Sequence, residues 1–396
     1  MKKSVHLLTL LMALALLLLS LVFSPTSPVL AADFTVNSET DAGDASPGDG
    51  QCLSAANECT LRAAVEEANA LEGQDLISLP AGDYVLSKGT LDLTSELILT
   101  GEGQKITRLS CSGDHRGLDL FSWGPPWGHI SIRHLTVENC ANGVANDWND
   151  TVLFDTVAIQ NNTNTGLEIY PIGAKTIIRY STFSGNSTAY EGGAIDHGGG
   201  DLIIESSTFF DNSNVLEAGR GGAIRVHGAR AAITNSTFSS NTSINEGGAV
   251  HAEIYSTVEI RNCTFFDNNA HFLSSDLGSY YDSTIVVSNS IFTGGCEGQV
   301  VSAGNNLDET GVCGLKGPGD LVGMNASLGP LTNNGGRTLT HMPNAGSPAI
   351  DAGNNALATG DYEQRGPGYP RIFNSTVDIG SVEWGIIFQD SFEQLR

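Results

Sequence analysis

A nine-residue segment, IRYSTFSGN at residues 178–186, recurs along the middle of the chain. It returns as IESSTFFDN at 204–212, as ITNSTFSSN at 233–241 and as IRNCTFFDN at 260–268. A weaker copy, VSNSIFTGG, follows at 287–295. A fixed period of this size indicates stacked supersecondary units rather than one irregular core.

Three residue types recur in step within the repeat. Phenylalanines are separated by 26, 29, 27 and 27 residues, at Phe183, Phe209, Phe238, Phe265 and Phe292. Asparagine stands three residues after the first four of these, at Asn186, Asn212, Asn241 and Asn268. Glycine pairs follow at 192–193, 221–222 and 247–248, and the apolar phase extends back to Val157 and Val137.

The pattern inside each repeat favours strands over helices. Short β-branched runs, such as 176–178 and 285–287, are broken by Gly, Asn and Ser, and helical 3.6-residue periodicity is missing from the repeat. About 27 residues hold three short strands and three turns, so we predict an all-β fold, a right-handed parallel β-helix. The phenylalanines should stack in its core. The asparagines should form a ladder in a tight turn, each in left-handed backbone geometry.

The start of the chain has the layout of a secretory signal peptide. Lys2 and Lys3 precede an apolar run from Leu7 to Phe23, and small residues end at Ala32. Removing both lysines takes the net charge from −25 to −27. Such a charge disfavours nucleic-acid binding, and no second long apolar segment follows. We therefore expect a secreted or cell-surface protein, monomeric and without membrane insertion of the mature chain.

The sequence divides into five segments. We expect a signal peptide at 1–32, an N-terminal cap at 33–74, β-helix coils at 75–327, a terminal coil or cap at 328–384, and a tail at 385–396. The cap should contain an amphipathic helix with Thr60 as its N-cap. Its apolar residues have helical spacing, at Leu61, Ala64, Val65, Ala68 and Leu71.

All seven cysteines lie after the signal segment, where oxidation is permitted. Six cysteines can pair in 15 ways, and the sequence does not choose among them. Proximity along the chain suggests Cys52–Cys59, Cys111–Cys140 and Cys296–Cys313. Cys263 holds the repeat position where other coils have Ser, so we expect a buried free thiol there.

Two segments resemble known bacterial families. CTLRAA at 59–64 resembles the CSLREA motif of bacterial β-helix surface proteins, with Thr60 and Ala63 in place of its Ser and Glu. LGPL at 328–331, NGG at 334–336 and GSPAIDAG at 346–353 resemble the choice-of-anchor Q domain, and the likeness continues through 364–366 and 378–380. The resemblance implies export and surface attachment, and it implies no particular catalytic activity.

One strand face after the glycine pairs carries the candidate catalytic residues. Alternation turns Ile195, Ile224 and Val250 inward and the residues that follow them outward. The outward set is Glu168, Asp196, Arg225, His227, His251 and Glu253. Acids, His and Arg stacked at about 4.8 Å intervals suit acid–base cleavage of a sugar chain. The same residues also suit surface ion pairs, and Asn-Thr-Asp, Asp-Asp, Gly-His-Gly and Arg-Ile-Lys, expected of pectin-cleaving β-helix hydrolases, are missing.

Asp41, Asp44 and Asp49 lie in a Gly-rich loop suited to calcium. They lack the ligand spacing of an EF-hand, so we favour a solvated turn, with bound calcium as the alternative. Calcium is the one cofactor that the sequence suggests.

Three functions fit these features. The leading prediction is a non-catalytic scaffold that binds a polysaccharide or a surface protein outside the cell. The second is a polysaccharide lyase or glycoside hydrolase that uses the outward face. The third is a structural component of the cell envelope. Fold alone does not separate them.

Overall fold

The computed structural model describes residues 31–121, 128–148, 150–215, 217, 219–271 and 275–385. The apolar part of the expected signal peptide and the tail beyond residue 385 lie outside these residues. No helix of the described chain is long and apolar enough to cross a membrane.

One coil shows the path of the chain. Lys175–Arg179 lies in a first sheet, Thr182–Ser184 in a second and Ile195–His197 in a third. The next strand, Asp201–Glu205, returns to the first sheet and pairs in parallel with Lys175–Arg179. Because this path repeats with the sequence period, the fold is a right-handed parallel β-helix, as predicted.

The three long sheets run the length of the solenoid. The first has eleven strands in the described chain: Asp33–Thr35, Asp75–Leu79, Leu97–Gly101, His129–Arg133, Thr151–Asp155, Lys175–Arg179, Asp201–Glu205, Arg230–Thr234, Thr257–Arg261, Thr284–Ser288 and Val300–Gly304. The second also has eleven: Gly82–Leu86, Thr107–Cys111, Thr136–Glu138, Ala158–Gln160, Thr182–Ser184, Thr208–Phe210, Thr237–Ser239, Thr264–Phe266, Ile291–Phe292, Leu307–Asp308 and Leu321–Val322. The third has nine: Leu91–Leu93, Leu118–Phe121, Asn142–Asp147, Thr165–Ile169, Ile195–His197, Ile224–His227, Val250–Glu253, Leu277–Ser279 and Cys296–Glu297.

Two smaller sheets and one helix complete the described elements. A four-stranded sheet follows the second sheet around the asparagine turn: Ser187–Thr188, Ser213–Asn214, Thr242–Ser243 and Asn269–Ala270. Leu328–Thr332 and Thr340–Pro343 form an antiparallel pair. The helix spans Leu61–Ala70, and the Thr60 side chain accepts a hydrogen bond from the Ala63 amide as its N-cap. Its buried face joins the core of the first coils.

The inward phenylalanines form a continuous stack. Ring centroids of successive members are 5.0, 4.8, 4.7 and 5.1 Å apart from Phe183 to Phe292. The strand register also corrects one position that we predicted for the coil before Phe183. Ile159, not Val157, pairs with Phe183, while Val137 pairs with Ile159. The error is two residues, which keeps a side chain on the same face of a strand and is therefore easily missed.

The asparagine ladder is buried and continuous. Asn186 donates its side-chain amide to Asn212 at 3.0 Å, and Asn212 donates to Asn241 at 2.9 Å. The ladder residues themselves do not hold the left-handed backbone, contrary to expectation. The residue before each one does, with φ between 52° and 62°: Gly185, Asp211, Ser240 and Asp267. The turn is made one residue earlier, which leaves the ladder side chain pointing into the coil.

The disulfides are Cys52–Cys59, Cys111–Cys140 and Cys296–Cys313, and Cys263 is a buried free thiol. The first sheet begins with Asp33–Thr35, which pairs with Asp75–Leu79. It therefore starts one strand before the expected first coil, and the helix lies between these two strands in the chain.

The C-terminal segment packs along the side of the solenoid, where we expected a terminal coil or cap. Thr208 donates to the Leu339 carbonyl at 2.6 Å, and Thr237 donates to Gln364 at 2.6 Å. The Ser381 amide donates to Thr264 at 3.0 Å. These threonines begin successive strands of the second sheet, so their outward hydroxyls form the docking surface.

Candidate functional site

The outward residues of the third sheet form a register-matched column. Glu168 pairs with Asp196, Asp196 with Arg225, and Arg225 with His251 in successive coils. His227 pairs with Glu253 two residues further on. We call these six residues the charged column. Alternation along the strands thus places them together, as the sequence pattern suggested.

Arg225 is the centre of the charged column. Its guanidinium contacts Asp196 at 3.1 Å and Glu253 at 2.5 Å. It also donates to His227 Nδ1 at 2.9 Å. The Arg225 side chain is only 16% exposed. Its donors are therefore directed to protein groups rather than to solvent.

A second arginine, Arg220, shares Glu253 with Arg225. Arg220 contacts Glu253 at 2.9 Å and Glu246 at 3.2 Å. The Arg220 amide also donates to Glu191 at 2.7 Å. Our sequence reasoning missed these three residues, Glu191, Arg220 and Glu246. A charged residue directly before each glycine pair was the signal that could have found them.

His251 is in the column but is completely buried, so the expectation of an exposed imidazole was wrong. Its ring packs 5.8 Å from that of Tyr280. Burial lowers the pKa of His251 to about 3, so the ring is neutral at physiological pH. The strand period identified the face it occupies, but the period carries no information on what covers that face.

The pKa values of the three carboxylates in the charged column are not all shifted in the same direction. Burial raises the pKa of both Asp196 and Glu168. Burial acts in the same direction on Glu253, but the charge of Arg225 outweighs it, and the pKa of Glu253 is lowered. The ionised form is thus best stabilised at Glu253, where two arginines converge.

Glu168 and Tyr170 lie at the edge of this network. Arg116 contacts Glu168 at 3.3 Å and Asp119 at 3.2 Å. The Tyr170 hydroxyl donates to Asp196 at 3.4 Å, and burial raises the pKa of this tyrosine. Tyr170 is therefore protonated at physiological pH, and the residue is 45% exposed.

His227 is the most exposed ionisable group of the column, with 37% of its side chain accessible. Its Nδ1 lies 2.9 Å from Arg225 Nη2 and 3.3 Å from Glu253 Oε1. Arginine can only donate, so the shorter contact makes Nδ1 an acceptor and places the proton on Nε2. In this tautomer Nε2 is a hydrogen-bond donor, not a base.

The three loop aspartates are not brought together. Asp41 pairs with Arg62 at 2.6 Å and accepts from the Ser87 and Lys88 amides. Asp44 accepts from the Ser46 and Leu53 amides, and Asp49 from the Gln51 amide. Each carboxylate has protein donors of its own, and in the described chain no group of three metal-binding side chains forms. The loop is a hydrogen-bonded turn, and its three aspartates do not form a common cluster in the described chain.

The fold and site define the class of the molecule as a right-handed parallel β-helix repeat protein. Residues 125–308 match the family model described as right handed beta helix region. Searches of curated proteins found no match.

Two solved structures are similar to this chain. A pectate lyase, Pel9A, has 17% sequence identity and a TM-score of 0.52, covering 90% of this chain and 98% of its own. ORF18 of Geobacillus virus E2 has 12% identity and a TM-score of 0.29, covering 54% and 55%. At this identity, the first likeness shows the shared fold.

Proposed function

We propose that this chain is an exported β-helix scaffold that binds a partner outside the cell without cleaving it. The observation that carries the proposal is the contact of Arg225 Nη2 with His227 Nδ1 at 2.9 Å. General acid–base catalysis needs a group that can exchange a proton with the substrate near the operating pH. Here the Arg225 guanidinium occupies Nδ1 of His227, and the neighbouring charges are paired with each other.

Export is supported by the first residues of the chain and by its disulfides. The basic and apolar start fits a signal peptide, and three disulfides fit an oxidising compartment. The CSLREA-like motif and the choice-of-anchor Q-like segment support attachment to a bacterial surface. In this proposal the C-terminal segment is held on the solenoid and the remaining faces bind the partner.

A polysaccharide lyase is the second candidate. The contact that favours it is His227 Nδ1 with Glu253 Oε1 at 3.3 Å. If Nδ1 donated to this carboxylate, Nε2 would become a base on a side chain that contacts Arg225. The likeness to a pectate lyase fold makes acidic polysaccharides the substrates to test.

One experiment separates the two candidates. Purified residues 33–396 are incubated with acidic and neutral polysaccharides, with and without calcium, and both binding and new unsaturated or reducing ends are measured. Binding without new ends is expected. Cleavage that is lost in His227→Gln, with an unchanged melting temperature, would replace the scaffold with the lyase.

The tautomer gives an independent readout. In ¹⁵N-labelled protein, the ring shifts of His227 should report a protonated Nε2 and an unprotonated Nδ1. Arg261→Gln is the control variant and should leave the ring shifts of His227 unchanged. Arg261 is a partly exposed arginine of the first sheet, away from the charged column, and contacts Glu259 at 3.0 Å. We choose to substitute His227 rather than Arg225 in the cleavage test, because truncating Arg225 would leave buried carboxylates unpaired.

A further inference from the structure

A trough of about 480 Å³ lies between the second sheet and the C-terminal segment. Its floor is formed by outward side chains of the strands from Arg108 to Thr182, and Arg337 lies on the C-terminal wall. We call it the second-sheet trough. It lies mainly on the strands before Thr208, Thr237 and Thr264, which are the threonines that contact the C-terminal segment. That segment forms one side of the trough.

The charge of the trough is opposite to that of the chain. Its lining contains three cations, Lys105, Arg108 and Arg337, and one carboxylate, Glu138, in a chain of net charge −25. Arg108 is held by Asp83 at 2.6 Å. Lys105 and Arg337 are exposed, and within the described ranges neither forms an ion pair. Two cations are therefore available for an acidic ligand.

Arg337 is held in place by two contacts with the protein. Its guanidinium lies 4.9 Å from the centre of the Tyr180 ring, and Nη1 donates to Thr156 at 3.0 Å. The remaining guanidinium donors can form a two-pronged contact with a carboxylate. Holding the side chain in place before binding reduces the entropy lost on association.

The floor offers repeated uncharged hydrogen-bonding groups. Thr136, Ala158 and Thr182 are in register in successive strands, as are Glu138, Gln160 and Ser184. Gln160, Thr182 and Ser184 supply amide and hydroxyl groups on two neighbouring strands about 4.8 Å apart. The Thr136 hydroxyl donates to the Gln104 carbonyl at 2.6 Å and is not free for a ligand. A polymer of hydroxylated units can contact both of these coils at once.

These features favour a sugar chain over a peptide. Extended peptides are commonly captured by a free sheet edge, whereas the Ala158–Gln160 strand is paired on both sides. Its backbone groups are used within the sheet, so recognition must come from side chains.

We propose that the second-sheet trough binds an acidic oligosaccharide, with Lys105 and Arg337 contacting its carboxylates. The inference deepens the proposed binding function and rests on it. It assigns the ligand to a different sheet from the charged column, whose arginines are already paired with protein carboxylates.

The test measures binding of a galacturonic acid hexamer by calorimetry at low salt. A fully methyl-esterified hexamer has the same sugar backbone without the charges, and a glutamate hexapeptide is the competing acidic polymer. We expect the wild-type protein to bind the acidic hexamer and to bind neither of the others comparably. Lys105→Gln and Arg337→Gln should each weaken binding about tenfold, because each removes a charged hydrogen bond.

Two controls keep a folding defect from imitating this result. Arg261→Gln should leave binding unchanged. Arg337→Lys keeps the charge and should retain more affinity than Arg337→Gln, with equal melting temperatures. Among the described residues the Lys105 side chain forms no hydrogen bond or ion pair, so the effect of its substitution reports the ligand directly.

Three outcomes would overturn the inference. One is unchanged affinity for the acidic hexamer in the Lys105→Gln, Arg337→Gln double variant, which would leave the binding function intact but move its site. Another is equal binding of the glutamate peptide, which would make the trough a general polyanion site. The last is that the acidic hexamer does not bind at all. If no other polysaccharide or surface partner binds either, the proposed scaffold function fails as well.

Discussion

Asn268 donates its side-chain amide to the buried carboxylate of Asp276 at 3.0 Å, so the asparagine ladder ends on an acid. The other Asp276 oxygen accepts from the Gly294 amide at 2.7 Å. Burial raises the pKa of Asp276 to about 7, although both hydrogen bonds oppose this, and the carboxylates of Asp308 and Asp267 raise it further. Proton binding at this residue is therefore coupled to stability.

Asp276 should make the protein less stable as the pH rises from about 4 to above 7. Its folded pKa is raised above the unfolded value of 3.8, so the stabilising effect of the proton is complete below pH 4 and lost through pH 7. In Asp276→Asn this dependence disappears. Relative to wild type, the variant should gain on the order of 3–4 kcal/mol of unfolding free energy between pH 4 and pH 8.

Urea denaturation at each pH measures this difference. Glu363 and Glu383 also have pKa values raised to about 7 by burial, so only the difference between variant and wild type isolates Asp276. Asp282→Asn, at an exposed turn, is the control and should follow the wild-type curve. A variant curve parallel to wild type would show that Asp276 does not titrate in this range.

The free energy of unfolding should be sensitive to substitution in the interior of the ladder. Asn212 donates to Asn241 and to the Phe183 carbonyl, and it accepts from Asn186. In Asn212→Ala these buried groups lose their partner, and we expect a loss of about 3 kcal/mol or more in unfolding free energy. Asn344→Ala, at an exposed turn, should change it by less than about 0.5 kcal/mol. Equal losses in the two variants would contradict a structural role for the ladder.

The repeating part of the fold could be predicted because each coil solves the same packing problem. Phe209 and Phe238 occupy equivalent positions, so their 29-residue separation reports one coil. Thr60 and the apolar spacing after it predicted the helix for a similar local reason. The Cys111–Cys140 bond, with its separation of 29, also joins adjacent coils. Local spacing is sufficient for the coils and the helix, whereas the disulfide was suggested only by proximity along the chain.

The rest depends on segments that do not repeat. His251 is on the predicted face, yet its burial is determined by how turns and neighbouring coils cover it, and those turns differ in length. The contacts of Gln364 with Thr237 and Thr208 join residues more than 120 positions apart. No period links such residues, so the docking of the C-terminal segment could not be predicted from spacing. The same is true of the paired state of the charged column.

Gly222 should tolerate no side chain. A Cβ built there would lie 2.1 Å from the Gly248 carbonyl oxygen in the next coil. Gly222→Ala must therefore separate two coils or shift a turn, and we expect it to lower the unfolding free energy by about 3 kcal/mol. Gly113→Ala is the control, because the nearest atom to its Cβ is a His115 carbon at 3.6 Å. A stable Gly222→Ala would mean that the coils can shift to accommodate it.

Cys263 should behave as a replacement for serine in the stack of coils. Its Sγ lies 3.3 Å from the Arg261 carbonyl oxygen, and Ser236 Oγ makes the equivalent contact with Thr234 at 2.8 Å. Cys263→Ser should therefore change the unfolding free energy by less than about 1 kcal/mol, whereas Cys263→Ala removes that contact and should cost about 2 kcal/mol.

Burial raises the pKa of the Cys263 thiol to about 12, so the native protein should not react with a thiol reagent. After denaturation without reductant, one thiol per chain should react, because the other six cysteines are in disulfides. Rapid labelling of the native protein would instead mean that the core opens at this coil.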